Sequence, residues 1–184
     1  MNTPRKIHFI RDAGSVYGLT AGAEDIPAIE SLILEHGPNQ WNHLPEDDVR
    51  RHVASIEAGA TLAVVAFSKP LQETVGVVTY EISRRYHMYQ PPRRSSADHG
   101  YIAEAVVRPD FAGRGLGTEL FSAAIQDLVS KGMKEIYAMR HADNDPSRRM
   151  MDKSGMRTMA EFDDPDIRPS GSRRTTVMRF IPEN

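Results

Sequence analysis

Residues 101–120 have the sequence YIAEAVVRPDFAGRGLGTEL, in which an apolar run leads through a glycine-rich turn into a helical pattern. Its first part is apolar and β-branched, which predicts a strand over residues 102–107, buried on at least one face and ended by Pro109. Three alternating glycines follow. Beyond them, apolar residues recur at helical spacing and predict an amphipathic helix over residues 116–129. A strand that passes through a glycine-rich turn into a helix is typical of an α/β domain.

The glycine-rich turn is predicted to bind phosphate. Gly113, Gly115 and Gly117 have no Cβ, so they can adopt positive φ and let backbone N–H groups approach a ligand closely. The unpaired N–H groups and the positive dipole end of the following helix attract an anion. Neither a GxxxxGK string nor GxGxxG occurs here in any register, so the turn is neither a P-loop nor a dinucleotide fingerprint. A turn that needs glycine only for tight packing is the alternative interpretation.

The turn resembles the pyrophosphate loop of the GCN5-related N-acetyltransferase (GNAT) superfamily. In that family a strand ends in V-x-P, an aromatic residue follows, and then comes Gln or Arg, two residues, Gly, one residue, and Gly or Ala. The matching positions are Val107, Pro109, Phe111, Gly115 and Gly117. Ala112 stands where the family has Gln or Arg, which removes one side-chain contact and none of the backbone donors.

A second stretch, HADNDPSRRMMDKSGM at residues 141–156, is similar to the other signature of that family. The matching positions are Asn144, Ser147, Met150, Gly155 and Met156. Local signals also predict a short helix here, because Asn144 or Asp145 can cap it, Pro146 opens it and Gly155 ends it. The resemblance extends over residues 21–180, and its specific motifs lie between residues 101 and 156.

The resemblance implies the fold class and a co-substrate. The fold would be α/β and GNAT-like, with a mixed, mostly antiparallel central sheet, helices on both faces, and a fourth and a fifth strand that splay apart to admit the pantetheine arm of acetyl-CoA. Asn144 and Ser147 would face the pantetheine or thioester region, and Arg114 would contact phosphate or remain a solvated arginine. The implied cofactor-binding residues are Val106, Val107, Ala112, Gly113, Arg114, Gly115, Leu116, Gly117, Thr118, Asn144 and Ser147.

Sequence patterns predict the remaining elements within one domain over residues 1–184. Short strands are expected at 6–11 and 15–20, as a hairpin or as an extension plus a first strand. Helices are predicted at 23–35 and 45–57, and further strands at 61–67, 74–82, 134–140, 157–162 and 173–181.

Acetyl transfer to an amine needs a base for the amine proton and a donor for the leaving thiolate. Glu104 is the predicted base, because it is a carboxylate inside an otherwise apolar strand; a glutamate on a solvated strand face is the alternative. Alternation of side chains places it with Ile102 and Val106. Water or His99 would carry the proton if Glu104 does not.

The proton donor is less clearly specified. Many relatives carry a tyrosine seven residues after the asparagine of the second signature, where this chain has Met151, which cannot donate a proton. Ser147 is the best substitute, although a hydroxyl at a helix N-terminus often serves the backbone. Tyr137 and water are the other candidates.

The polar segment at residues 83–100 has no periodicity and is long for a connection, so it is predicted to be a loop that lines the acceptor site and governs acceptor choice. A solvated, partly disordered loop is the alternative. Trp41 is expected at the same mouth, as a wall of the substrate site or as packing.

Composition excludes several other classes of protein. The 23 basic and 25 acidic residues give a net charge of −2, so no bulk attraction to nucleic acid or membrane is expected. There is no cysteine and no close pair of histidine ligands, so a disulfide, a cysteine nucleophile and a catalytic metal are not expected. The first residues lack a long apolar stretch, which indicates a cytoplasmic protein.

The sequence therefore predicts an acetyl-CoA-dependent N-acetyltransferase that acts on an amine of a small molecule or protein by direct transfer in a ternary complex, with a homodimer left open. The alternatives are a non-catalytic acyl-CoA-binding sensor of the same fold, and a transferase for another acyl group or an oxygen acceptor. A nucleic-acid-binding protein is the weakest alternative, because charge is balanced and no recognition motif occurs.

Overall fold

A computed structural model describes residues 5–182 of the chain. Residues 1–4 and 183–184 lie outside it. Both ends of the predicted domain, and the first part of the N-terminal segment predicted to lack a long apolar stretch, therefore lie outside the described residues. The helices are α1 (Ile26–His36), α2 (Glu46–Glu57), α3 (Leu116–Ser130) and α4 (Asp145–Lys153). The strands are β1 (Ile7–Arg11), β2 (Val16–Thr20), β3 (Leu62–Ser68), β4 (Glu73–Ser83), β5 (His99–Val107), β6 (Ile136–His141), β7 (Arg157–Asp163) and β8 (Arg174–Phe180). The predicted elements are present, with bounds that differ by three residues or fewer.

The strands form one sheet in the order β1-β2-β3-β4-β5-β6-β8-β7. Neighbouring strands are antiparallel except β5 and β6, which are parallel and joined through α3. The first two strands pair as a hairpin, which decides between the two arrangements left open by the sequence. The mixed, mostly antiparallel sheet predicted for this chain is thus confirmed.

Helices cover both faces of the sheet. Alternate residues of β3 show this, since Val64 and Ala66 pack in a cluster with α3, whereas Ala63 and Val65 pack with α1 and α2. The sheet is therefore buried on both sides near its centre, which explains the apolar runs in β3 and β4. Among residues 5–182, no helix combines the length and apolar character needed to cross a bilayer.

The two parallel strands separate after a short paired region. Pairing runs from Gly100 opposite Ile136 to Ile102 opposite Ala138, and both strands continue beyond it without facing partners. A gap therefore opens between the carboxyl ends of β5 and β6. The predicted splay is confirmed, but it lies between the fifth and sixth strands, because two strands precede α1 rather than one.

A β-bulge in β5 reverses the alternation of its side chains. Ile102 pairs with Tyr80 and Ala105 with Val78, so β5 has one residue more than β4 over this interval. Ile102 accordingly packs with α3, whereas Val106 packs with α1 and α2. The prediction that Glu104 shares a face with Ile102 and Val106 was therefore wrong for Ile102. It assumed a strict alternation of side chains, which the extra residue of the bulge interrupts.

The segment between β4 and β5 contains two three-residue 3-10 turns, too short to produce a periodic pattern. Side chains tie it to the sheet: Arg94 pairs with the buried Glu135 at 2.6 Å, and the Tyr86 N–H donates to His99 Nε2 at 3.2 Å. His99 belongs to β5 rather than to the loop. This attachment fixes the direction in which Tyr86 projects.

Candidate active site

A cavity of about 1000 Å³ occupies the gap between β5 and β6. One part of it, the glycine half, is bordered by residues 111–118 and by α4. The other part, the carboxylate half, is bordered by Glu104, by the α1–α2 loop and by the β7–β8 loop at residues 164–173. The cavity is continuous from one half to the other, so a long ligand can reach Glu104 from the glycine-rich turn.

The glycine half contains a cradle of backbone donors. Gly113 and Gly115 adopt φ of 74° and 85°, in the left-handed region that favours glycine, and α3 begins directly after Gly115. Within residues 5–182, no backbone carbonyl accepts a hydrogen bond from the N–H groups of residues 113–118. Unpaired N–H groups at a helix start bind anions, so the geometry fits a pyrophosphate.

Gly117 has a different role from the two left-handed glycines. A Cβ placed there would lie 3.2 Å from Met150 Sδ, tighter than ordinary contact. The glycine therefore permits α3 and α4 to approach each other at the cavity wall.

Most of the predicted cofactor-binding residues line the cavity. These are Val106, Val107, Ala112, Gly113, Gly115, Gly117, Thr118, Asn144 and Ser147. The side chains of the other two do not line it: Leu116 is 2% exposed in the core, and the Arg114 guanidinium lies 6.0 Å from the centre of the ring of Phe111, which lines the cavity. For Leu116 only the backbone can contact a ligand, whereas the contact of Arg114 with phosphate stays a prediction.

The start of α4 forms the second wall of the glycine half. Asn144 caps the helix by accepting a 3.0 Å hydrogen bond from the Ser147 N–H, which leaves the Ser147 hydroxyl free to face the cavity. Arg149 and Lys153, one helical turn apart, also line this half. Sequence analysis missed these two cations, although their spacing on a helix beside a phosphate loop was a usable signal.

Glu104 lies in the carboxylate half, and its side chain is held from one side. Its Oε2 accepts a 3.3 Å hydrogen bond from Asn42 Nδ2, in the α1–α2 loop. Burial raises the pKa of Glu104, while the Asn42 hydrogen bond and the nearby Arg168 oppose that rise. A carboxylate with a raised pKa accepts protons better near neutral pH, as a general base requires.

The alternative proton carriers lie outside the cavity. Tyr137 is fully buried and donates its hydroxyl to Glu135, and burial together with this bond raises its pKa. His99 is also fully buried, its Nε2 accepts from the Tyr86 N–H, and burial lowers its pKa. Neither group lines the cavity, whereas Met151, which stands where relatives carry tyrosine, does line it and is 4% exposed.

Aromatic side chains and two arginines complete the carboxylate half. The rings of Tyr101 and Tyr86 pack with centroids 4.7 Å apart and planes tilted by 31°, and Arg85, Arg168 and Trp41 also line this part. Of the loop expected to govern acceptor choice, only Arg85 and Tyr86 line the cavity. In residues 5–182, no group of three or more histidine and carboxylate side chains is placed to hold a metal ion.

Comparison with known proteins identifies the family. The model of the acetyltransferase (GNAT) family matches residues 26–156. No curated protein matches the sequence. The fold is similar to that of the ribosomal-protein-S5-alanine acetyltransferase from Vibrio fischeri, with 14% identity, a TM-score of 0.69, and coverage of 94% of this chain and 95% of that one.

Two further solved structures show the same fold. The mosquito arylalkylamine N-acetyltransferase-like 5b is 12% identical with a TM-score of 0.70, covering 91% of this chain and 100% of that one. Naa50 from Arabidopsis thaliana, in complex with the bisubstrate analogue CoA-Ac-MVNAL, is 17% identical with a TM-score of 0.65, covering 90% and 98%. Both signatures line one cavity, and the family model matches residues 26–156, which are most of the chain. The chain therefore belongs to the GNAT family of acetyltransferases.

Proposed function

We propose that the protein is an acetyl-CoA-dependent N-acetyltransferase that transfers the acetyl group to an amine by direct attack in a ternary complex. The observation that carries the proposal is the continuous cavity that joins the unpaired N–H groups at residues 113–118 to the Glu104 carboxylate. An anionic head group at one end and a proton acceptor at the other are the two features this reaction needs.

The glycine half would bind the co-substrate. The N–H groups of residues 113–118 would hold the pyrophosphate, with Arg149 and Lys153 adding positive charge from α4. The ends of β5 and β6, which have no partners in the gap, would bind the pantetheine amides through backbone groups of Val106 and Val107. Acetyl-CoA would supply a thioester carbonyl as the electrophile.

The carboxylate half would contain the proton acceptor, and Ser147 of the glycine half would be the proton donor. Glu104 would take the proton from the acceptor amine, so that the nitrogen lone pair forms the new C–N bond at the thioester carbon. As the C–S bond breaks, the Ser147 hydroxyl at the start of α4 would protonate the leaving thiolate. The proton held by Glu104 would then return to the Ser147 oxygen through solvent, which regenerates both groups. The amine has then lost one proton, the thiol has gained one, and no other reactant is required.

A non-catalytic acyl-CoA sensor is the second candidate, and Met151 favours it, because this side chain cannot act as the proton donor found in many relatives. Two measurements separate the candidates: acetyl-CoA binding by calorimetry, and CoA thiol release across a panel of small amines, amino acids and peptides. Binding with amine-dependent thiol release supports the enzyme. Binding without release by any amine supports the sensor, and loss of both contradicts the proposal.

A further inference from the structure

Two arginines of the carboxylate half have no carboxylate partner. Within residues 5–182, neither Arg85 nor Arg168 has a carboxylate oxygen within 4.0 Å. The adjacent Arg84, in contrast, pairs with Asp98 at 2.6 Å. Two cations that line a cavity without a counter-charge in contact offer a site for an anionic group of a ligand.

The guanidinium of Arg168 is fixed by its own hydrogen bonds. Its Nε donates to Thr175 Oγ1 at 3.1 Å and its Nη1 to the Trp41 carbonyl at 3.5 Å. Its Nη2 has no acceptor among the described residues. Arg168 is therefore a half-buried cation held in place by neutral groups, and Asp164 and Glu104 act on its charge without a direct contact. One of its nitrogens is left for a ligand.

Tyr101 lines the same part of the cavity as the two arginines. Burial raises the pKa of Tyr101 well above its usual value, so its hydroxyl is neutral and can donate a hydrogen bond to an anion. The rings of Tyr101 and Tyr86 pack against each other at a tilt and give this region an apolar surface. An anion placed here would thus lie on the same side of β5 as the Glu104 carboxylate.

Two loops form a roof over the carboxylate half and limit the size of the acceptor that can enter. The Ser170 hydroxyl donates to the Gln40 carbonyl, and Arg168 donates to the Trp41 carbonyl, so the β7–β8 loop meets the α1–α2 loop above the carboxylate half. The Asp143 carboxylate accepts a 2.8 Å hydrogen bond from the Ser172 N–H, which fixes the far end of the same loop. A slender acceptor fits beneath this roof better than an amine on the body of a folded protein.

We propose that the acceptor is a slender primary amine that also carries a carboxylate, which Arg168 and Arg85 bind while the amine meets Glu104. This inference rests on the proposed function. The same chemistry is found in a free amino acid and in the first residues of an acidic peptide.

The test compares acids with their amides at constant length. The probes are glycine, 4-aminobutyrate and 6-aminohexanoate, each beside its carboxamide, titrated into the CoA-bound protein by calorimetry and then assayed for thiol release with acetyl-CoA. We expect the acid of best-fitting length to bind about tenfold or more tightly than its carboxamide, the scale of a charge-assisted hydrogen bond. A second set of probes consists of amidated peptides with Asp-Glu or Asn-Gln after an N-terminal alanine. Preference for the acidic peptides over the free acids would identify a peptide terminus as the source.

Variants assign the effect to the two arginines. Arg168→Gln and Arg85→Gln should raise the KM for the preferred acid about tenfold relative to the KM for its carboxamide, while the KM for acetyl-CoA remains unchanged. Arg84→Gln is the matched control, since it removes an adjacent exposed arginine that already has a partner. Arg168→Lys retains the charge and should retain part of the preference.

The outcomes distinguish this inference from the proposed function. Equal binding of acids and carboxamides, or stronger binding of the carboxamides, overturns the carboxylate site even if acetylation occurs. Stronger binding of the acids that survives both glutamine variants overturns the assignment to Arg85 and Arg168. Tight binding of the acids without thiol release would support the carboxylate site at Arg85 and Arg168 and contradict the proposed acetyltransferase activity.

Discussion

Nη2 of Arg11 donates a 2.8 Å hydrogen bond to the backbone carbonyl of Arg114, so the end of β1 holds the middle of the glycine-rich loop. The C=O and the next N–H of a planar trans peptide point in opposite directions. With the Arg114 carbonyl held by Arg11, which does not line the cavity, the N–H of Gly115 is directed away from Arg11. The same guanidinium contacts Glu119 in the first turn of α3 at 3.2 Å.

Removal of this guanidinium should weaken acetyl-CoA binding. We expect Arg11→Gln to lower the affinity about tenfold, because the loop loses a charged hydrogen bond that orients one of its donors. Calorimetric titration with acetyl-CoA measures the effect. Arg5→Gln is the control, since it breaks a comparable pair with Asp25 near the same hairpin and away from the loop. Equal losses in the two variants would indicate general destabilisation rather than positioning.

Gly115→Glu should abolish acetyl-CoA binding while the circular dichroism spectrum is retained. The substitution places a carboxylate among the donors that face the pyrophosphate. It also introduces backbone strain, because Gly115 has a φ of 85°. Gly132→Glu is matched in this respect, with a φ of 88°, an equally open surrounding and a position beyond the far end of α3. Unchanged affinity in Gly115→Glu, or equal loss in Gly132→Glu, would contradict the phosphate site.

The parts of the site that sequence predicted are those whose physical requirement is local. The left-handed φ of Gly113 and Gly115 and the capping of α4 by Asn144 each depend on a few consecutive residues. Their motifs could therefore be interpreted without knowledge of the tertiary structure.

The parts that sequence missed depend on distant pairs. The bulge in β5 arises from its register against β4, and Arg11 reaches a carbonyl 103 positions later in the chain. Arg168 enters the carboxylate half only because the β7–β8 loop folds over the α1–α2 loop. No periodicity or local motif records such contacts, since they are fixed by packing between elements.

Glu104→Gln should lower turnover about 10²-fold or more, the usual scale for loss of a general base. Glutamine keeps the size of the side chain and can still accept from Asn42, but it cannot take a proton. If Glu104 is the base, the wild-type rate should fall as pH decreases through the pKa of Glu104, and the low-pH limb of the kcat/KM profile should disappear in the variant. Affinity for acetyl-CoA should stay the same. Near-normal turnover with an unchanged pH profile would leave water as the proton acceptor.

Asn42→Leu should move the low-pH limb of kcat/KM to higher pH. The Asn42 amide donates to the ionised Glu104 carboxylate, so it stabilises the charged form and lowers the pKa of Glu104 against the effect of burial. Its removal raises that pKa, and the base becomes protonated at a higher pH than in the wild type. Asn39→Leu is the control in the same loop, because its side chain bonds only to backbone groups. A limb that stays in place or moves to lower pH would mean that the hydrogen bond does not act on the base.

The hydroxyl of Thr79 holds the bulge that directs Glu104 into the cavity. Thr79 Oγ1 accepts a 3.0 Å hydrogen bond from the Glu104 N–H. Because of the extra residue in β5, this N–H has no backbone partner among the described residues. The same Oγ1 lies 2.8 Å from His52 Nε2 on α2. Burial lowers the pKa of His52, so its imidazole is neutral near pH 7. A buried threonine thus satisfies the backbone of the base and connects it to α2.

Thr79→Val keeps the volume and removes the hydroxyl, which leaves the Glu104 N–H unsatisfied. We expect the free energy of unfolding to fall by about 1–3 kcal/mol, the cost of a buried donor without an acceptor. Because the peptide that carries Glu104 loses its anchor, kcat should also fall while the affinity for acetyl-CoA is retained. Thr79→Ser restores the oxygen and should recover both quantities. If Thr79→Val loses stability but keeps kcat and its pH profile, the strand pairing alone is enough to position Glu104, and the Thr79 hydroxyl serves only to satisfy the buried backbone.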